Sequence, residues 1–145
     1  MSELNIDPLK RLSRRKLLVA SGAAALGSLE YAVEELGIPL MLVLGHEECG
    51  AIKAAIRAVQ EGISPKGALG SIVDTLRPVV ESLADRDPKD LVWQVVKANV
   101  ERSVDHLLNS HVALADAVAG GRVKVVGGIY GLHTGRVQML DGTSP

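Results

Sequence analysis

The chain has 145 residues, 47% hydrophobic and 23% charged, with a formal net charge of −1; this is the make-up of one globular domain with a modest core. The absence of a basic surplus argues against a nucleic-acid partner held by phosphate attraction. No apolar run reaches the roughly 20 residues of a membrane-spanning helix, and a single Cys rules out an internal disulfide. Aromatic residues make up 2%, with no Phe, so Val, Leu, Ile and Ala must build the core.

The first 27 residues stand apart. Lys10, Arg11, Arg14, Arg15 and Lys16 form a basic cluster, and an uncharged, Ala-rich stretch runs from Leu17 to Leu26. A basic region, a short apolar region and the small-residue run Ala23-Ala24-Ala25 make the pattern of an export leader. Ser13-Arg14-Arg15-Lys16-Leu17-Leu18 resembles the twin-arginine export motif. The expectation is a leader over residues 1–27, export to the periplasm or beyond, and a folded domain over residues 28–145. The alternative is an N-terminal helix with a basic end in a cytoplasmic protein.

The rest alternates helical and strand-like pieces. Ser28 is placed to cap a short helix over residues 28–36, with Leu29, Val33 and Leu36 on one face and Gly37 as its stop. Leu40-Met41-Leu42-Val43-Leu44 is a continuous apolar run, the pattern of a strand buried on both faces. Residues 50–60 read as a helix with Ile52, Ala55, Ile56 and Val59 on one side. Residues 69–83 form another, in which Pro78 marks a break or kink. Asp87-Pro88 opens a further helix, with Pro88 in its first turn, and Val92, Val96, Val100 and Val104 recur along it with Leu107 and Leu108. A short helix over 112–118 ends at Gly120-Gly121. A second strand covers 123–129, Thr134-Gly135 is a turn, and 136–140 is a short last strand. Strands separated by helices predict an α/β fold with parallel pairing. The sheet is flanked by helices in a three-layer-like arrangement, with the short C-terminal strand antiparallel.

His46 and the lone Cys49 lie three residues apart where an apolar strand gives way to a helix. Ligands of open α/β sheets collect at the carboxyl ends of strands. Imidazole nitrogen and thiolate sulfur are both zinc donors, and zinc takes four donors in a tetrahedron. Gly45 and Gly50 allow a sharp turn and close approach. The competing reading is a Cys that acts as a small buried hydrophobe. Glu47 and Glu48 read as solvated loop charges, and Lys53 and Arg57 as a solvated helix face. His106, His111 and His133 read as surface, helix-end or turn residues, each available in principle as a third donor.

Gly45-His46-x-x-Cys49-Gly50-Ala51-Ile52, followed by Ala54-Ala55, resembles the zinc signature of the β-carbonic anhydrases. Ser28-Leu29-Glu30-Tyr31-Ala32-Val33, Leu36-Gly37 and Pro39 upstream are similar to that family. So are Asn99-Val100, Ser103-Val104, Leu107 and Ser110, then Gly121-Arg122-Val123, Val126-Gly127-Gly128, Tyr130, Thr134-Gly135 and Val137. The resemblance spans roughly residues 26 to 140. It implies one zinc held by two Cys and one His, with His46 and Cys49 matching the second and third of these ligands. It also implies metal-activated water that attacks carbon dioxide to give bicarbonate. No residue beyond the metal ligands is assigned a catalytic role.

The family's first Cys, in a Cys-x-Asp-Ser-Arg motif near the start of its domain, has no match here, and neither does its Arg-Asn-Ala-Gly-Asn segment. The chain therefore resembles a truncated member that lacks an internal block. Without that block the Leu40–Leu44 strand is expected to present an apolar edge, a template for association. The implied partners are carbon dioxide and bicarbonate, with a homo-oligomer or a full-length homologue as the macromolecular partner. Either the chain hydrates carbon dioxide with a site completed from elsewhere, or it is a non-catalytic remnant acting in metal binding or assembly.

Overall fold

The computed structural model describes residues 14–110 and 112–140. The start of the basic cluster, Lys10 and Arg11, and His111 lie outside them. The chain divides into two units, Met1–Ile38 and Pro39–Pro145. In the first, one helix, α1, runs Arg14–Glu34. The helix expected at 28–36 is the end of α1 and not a separate element. Ser28 sits inside it, and its hydroxyl donates back to the Ala24 carbonyl at 2.9 Å, the way a mid-helix Ser satisfies itself without capping. Ala-rich sequence has the highest helix propensity and carries the helix through this point. Gly37, with φ +62°, ends the segment, and Ile38 N–H donates back to the Ala32 carbonyl.

The second unit comprises β1 Leu40–His46, α2 Gly50–Gln60, α3 Gly67–Glu81, α4 Leu91–Ser110, α5 Val112–Ala119, β2 Lys124–Tyr130 and β3 Val137–Met139. The sheet order is β1-β2-β3. β1 and β2 are parallel, in register from Leu40↔Lys124 to His46↔Tyr130, and β3 pairs antiparallel with β2. This is the α/β arrangement expected. α3 continues through Pro78 without a break. α4 starts later than Asp87-Pro88 suggested, because the Asp87 carboxylate accepts the Lys89 N–H at 2.9 Å and makes a turn there.

α4 packs on β1 and β2. Val95, Val96, Val100 and Val104 are buried along it, joined by Ile52, Ala55, Ala58, Val73 and Val80 from α2 and α3. Gly45 is where helix and strand come closest. A Cβ there would lie 2.7 Å from Val100 Cγ2 and 3.0 Å from Val96 Cγ1. Both are stiff, buried β-branched side chains. Gly45→Ala is therefore expected to destabilise by about 1–3 kcal/mol in urea unfolding, as overpacking does. Adding Val100→Ala should recover part of that loss, because the two sites share one contact.

The expectation of a strand buried on both faces is corrected. Met41 is 6% exposed, but Leu40, Leu42 and Leu44 are 54%, 44% and 50% exposed. They share a sheet face with Val137 and Met139, also exposed. The continuous apolar run carries no period to show which side is covered. α4 covers the side of Met41 and Gly45, and β1 is an edge strand. The apolar edge expected at Leu40–Leu44 is thus present among the described residues. No helix among the described residues is long and apolar enough to cross a membrane.

Candidate metal centre

β1 ends at His46, and Glu47 N–H extends the ladder by one bond to the Tyr130 carbonyl, 3.0 Å. Glu48 then takes φ +56°, a left-handed conformation that is uncommon for a non-Gly residue. This residue reverses the chain, so that Cys49 becomes the N-cap of α2 and its carbonyl accepts the Lys53 N–H at 3.0 Å. His46 and Cys49 thus flank a two-residue turn at the carboxyl end of β1, where the sequence placed them. His46 is exposed; Cys49 is half-buried against the core.

His46 Nδ1 lies 2.8 Å from the Glu47 carbonyl oxygen. A carbonyl can only accept, so Nδ1 carries the proton in this contact and the neutral ring keeps its lone pair on Nε2. Metal-binding imidazoles are commonly oriented by such a bond.

Glu47 is not simply a solvated charge. Its carboxylate accepts the Leu132 N–H at 3.0 Å and ties the loop after β2 to this turn. Its partner lies 85 residues away, so no local pattern could have revealed the contact. Glu48 forms an ion pair with Lys53, so Lys53 has a specific partner as well. The Lys53 hydrogen bond, then its charge, hold the Glu48 carboxyl below its ordinary value of 4.5, with a smaller contribution from His133. Because the folded value is the lower one, this pair supports the fold above the ordinary carboxylate pKa and is lost as pH falls through the lowered value. Both partners face solvent, where such pairs contribute little.

The left-handed turn has a measurable consequence. Glu48→Val should be less stable than Glu48→Gly by about 1–2 kcal/mol in chemical denaturation, since a β-branched residue is strained at positive φ and Gly is not.

The two other His residues among those described lie in two places. His133 joins Glu47, Glu48, Lys89 and Trp93 around a cavity of about 210 Å³ beside the turn. His106 instead lines a separate cleft of about 700 Å³ with Val43, Arg102 and Ser103. Among the described residues, no three or more His, Cys, Asp or Glu side chains are grouped to hold a metal ion. The donor types at the turn suit zinc, but two donors fall short of the three protein ligands of a catalytic zinc site. The structure sets the pair the sequence singled out on either side of one turn, and groups no third donor with them among the described residues.

A mixed sheet whose parallel pair β1 and β2 is joined through helices, with a His-x-x-Cys turn at the carboxyl end of β1, defines an α/β protein with two zinc-type donor residues at a strand end. The family model described as carbonic anhydrase matches residues 16–137, and the chain belongs to the β-carbonic anhydrase family. It is 38% identical over 119 residues to carbonic anhydrase 2 of Mycobacterium tuberculosis, which covers 82% of this chain and 57% of that relative. It is also 38% identical to a carbonic anhydrase of Mycolicibacterium smegmatis, over 80% of this chain and 56% of the relative. Among solved structures, a Coccomyxa β-carbonic anhydrase in complex with acetazolamide superposes with a TM-score of 0.65 at 28% identity, over 79% of this chain and 52% of that one. A structure from a study of two tetrameric β-carbonic anhydrases of Sordaria macrospora shares the fold, with a TM-score of 0.70 at 24% identity over 82% and 60% of the respective chains. The chain thus spans little more than half the length of these relatives.

Proposed function

We propose that this chain serves the zinc-dependent, reversible hydration of carbon dioxide to bicarbonate. In this reading it contributes His46 and Cys49 to a metal site that further donors must complete. The observation that carries the reading is the family match over residues 16–137 with a His and a Cys at the turn after β1. Zinc would supply a Lewis acid that generates a nucleophile from water near neutral pH. The chain's own contribution is positional. The Glu47 carbonyl orients the His46 ring, the left-handed Glu48 aims the chain into α2, and the Glu47 carboxylate fastens the neighbouring loop.

The bare face and free edge of β1 support a second part of the reading. Completion comes from polypeptide that pairs along β1, supplied by a homologue or within an oligomer; tetrameric relatives make assembly a natural setting. The experiment is fragment complementation. The part of the Mycobacterium tuberculosis relative with no counterpart here is mixed with this chain and zinc, and carbon dioxide hydration is followed by stopped flow. The expected result is activity that disappears when Cys49→Ser is used. A mixture that forms a complex with no Cys49-dependent hydration contradicts the catalytic reading and leaves the runner-up, a non-catalytic assembly module.

A further inference from the structure

Glu47 makes three hydrogen bonds, each with a different part of the residue. Its N–H donates to the Tyr130 carbonyl at 3.0 Å, its carboxylate accepts the Leu132 N–H at 3.0 Å, and its carbonyl faces His46 Nδ1 at 2.8 Å. The first two tie Glu47 to the end of β2 and the loop after it, once by backbone and once by side chain. The third reaches the ring of the residue before it. The peptide that carries this carbonyl lies between Glu47, held at two points, and Glu48, which takes φ +56° and pairs with Lys53. Its direction therefore depends on what holds Glu47. The loop that does so is itself closed. Gly131 N–H donates to the Arg136 carbonyl and Gly135 N–H to the Gly131 carbonyl, both at 2.8 Å. Thr134 Oγ1 donates to the Gly131 carbonyl at 3.4 Å and accepts the Arg136 N–H at 3.3 Å. A Cβ on Gly131 would stand 2.5 Å from that Oγ1 and 3.6 Å from Glu47 Oε2, so the loop has no room for a side chain at its first residue.

Which nitrogen of a neutral imidazole carries the proton is set by the hydrogen bonds its ring makes. An acceptor fixed beside Nδ1 keeps the proton there and leaves the lone pair on Nε2. We propose that Glu47 is a positioning residue that couples the 131–136 loop to His46. The loop holds the Glu47 carboxylate, and Glu47, so held, keeps the His46 ring in its Nδ1-protonated form. The coupling is a property of the chain alone. Only its use, which is to present Nε2 as the ring's donor atom, rests on the function proposed above. A change made in the loop is then felt at the imidazole.

The test uses the full, metal-free chain labelled with the heavy nitrogen isotope. NMR follows the His46 ring nitrogens at a pH where imidazoles are neutral, and hydrogen exchange is followed at the Leu132 amide. The expected result for the unmodified chain is a ring protonated mainly at Nδ1, the minor form of free histidine. Glu47→Ala should speed Leu132 exchange by at least about tenfold, as a locally opened segment does, and move the ring toward the Nε2-protonated form. Glu47→Gln should keep both as they were, because its side-chain carbonyl still accepts the Leu132 N–H. Gly131→Ala, which forces Thr134 aside, should shift the ring as Glu47→Ala does. Faster Leu132 exchange with an unchanged His46 tautomer would overturn the coupling and leave the carboxylate a structural tie only. A ring protonated mainly at Nε2 in the unmodified chain would overturn it as well. Well-dispersed amide spectra of each variant separate these results from loss of fold. Neither readout involves zinc or turnover, so failure of the coupling and failure of the carbon dioxide reading are told apart.

Discussion

Cys49→Ser is expected to lower zinc affinity by at least about 100-fold, because even outer-shell changes at metal sites cost roughly 10–100-fold and this change removes a donor outright. His46→Ala should do the same. Neither change should unfold the protein. His46 is exposed, and Cys49 is only half-buried at the edge of the core and makes no side-chain capping bond to α2. Chelator competition measures the affinities, and urea midpoints measure the folds. If zinc affinity survives Cys49→Ser unchanged, the turn is not the metal site. The likeness of residues 45–52 to the family's signature then carries no chemistry in this chain.

Leu42→Lys is expected to suppress concentration-dependent association, weakening it at least tenfold, or about 1.4 kcal/mol. β1 is an edge strand with no charge from Leu40 to Leu44, and three Leu side chains are exposed on its open face. Natural edges of this kind are protected by Lys, Pro or a bulge. The only Pro nearby is Pro39, which precedes the strand. Leu42 is already 44% exposed, so a charge there enters no core and the unfolding midpoint should shift little. Sedimentation across a concentration series distinguishes this outcome from unchanged association, which would mean that some other surface drives it.

The elements legible in the sequence were those whose signals are local. α2 begins and ends where Gly50 and the spacing of Ile52, Ala55 and Ile56 placed it, and β1 and β2 fall within two residues of their apolar runs. His46 and Cys49 flank the turn as their spacing implied. What stayed hidden was either a local bond that competes with the expected one or a contact with a distant partner. Ser28 has the chemistry of a cap, but α1 had already formed around it, and its hydroxyl bonds backward. Asp87-Pro88 resembles a helix start, yet the Asp carboxylate closes a turn first. Val95, outside the four-residue series of Val92, Val96, Val100 and Val104, is fully buried while Val92 is not; the helix's contact face is wider than one ridge and is set by what packs on it. The sidedness of β1 and the clasp between Glu47 and Leu132 belong to tertiary structure alone.

On the proposed reading the chain contributes His46 and Cys49 to a carbonic anhydrase site, and the described residues group no further donor with them. The most direct measurement is the stopped-flow rate of carbon dioxide hydration by the purified, zinc-loaded chain alone, beside its Cys49→Ser variant. The account predicts equal rates, both at the uncatalysed level. A clear rate that depends on Cys49 would contradict it, and would mean that a third donor reaches the turn from within this chain, with His133 the first to replace.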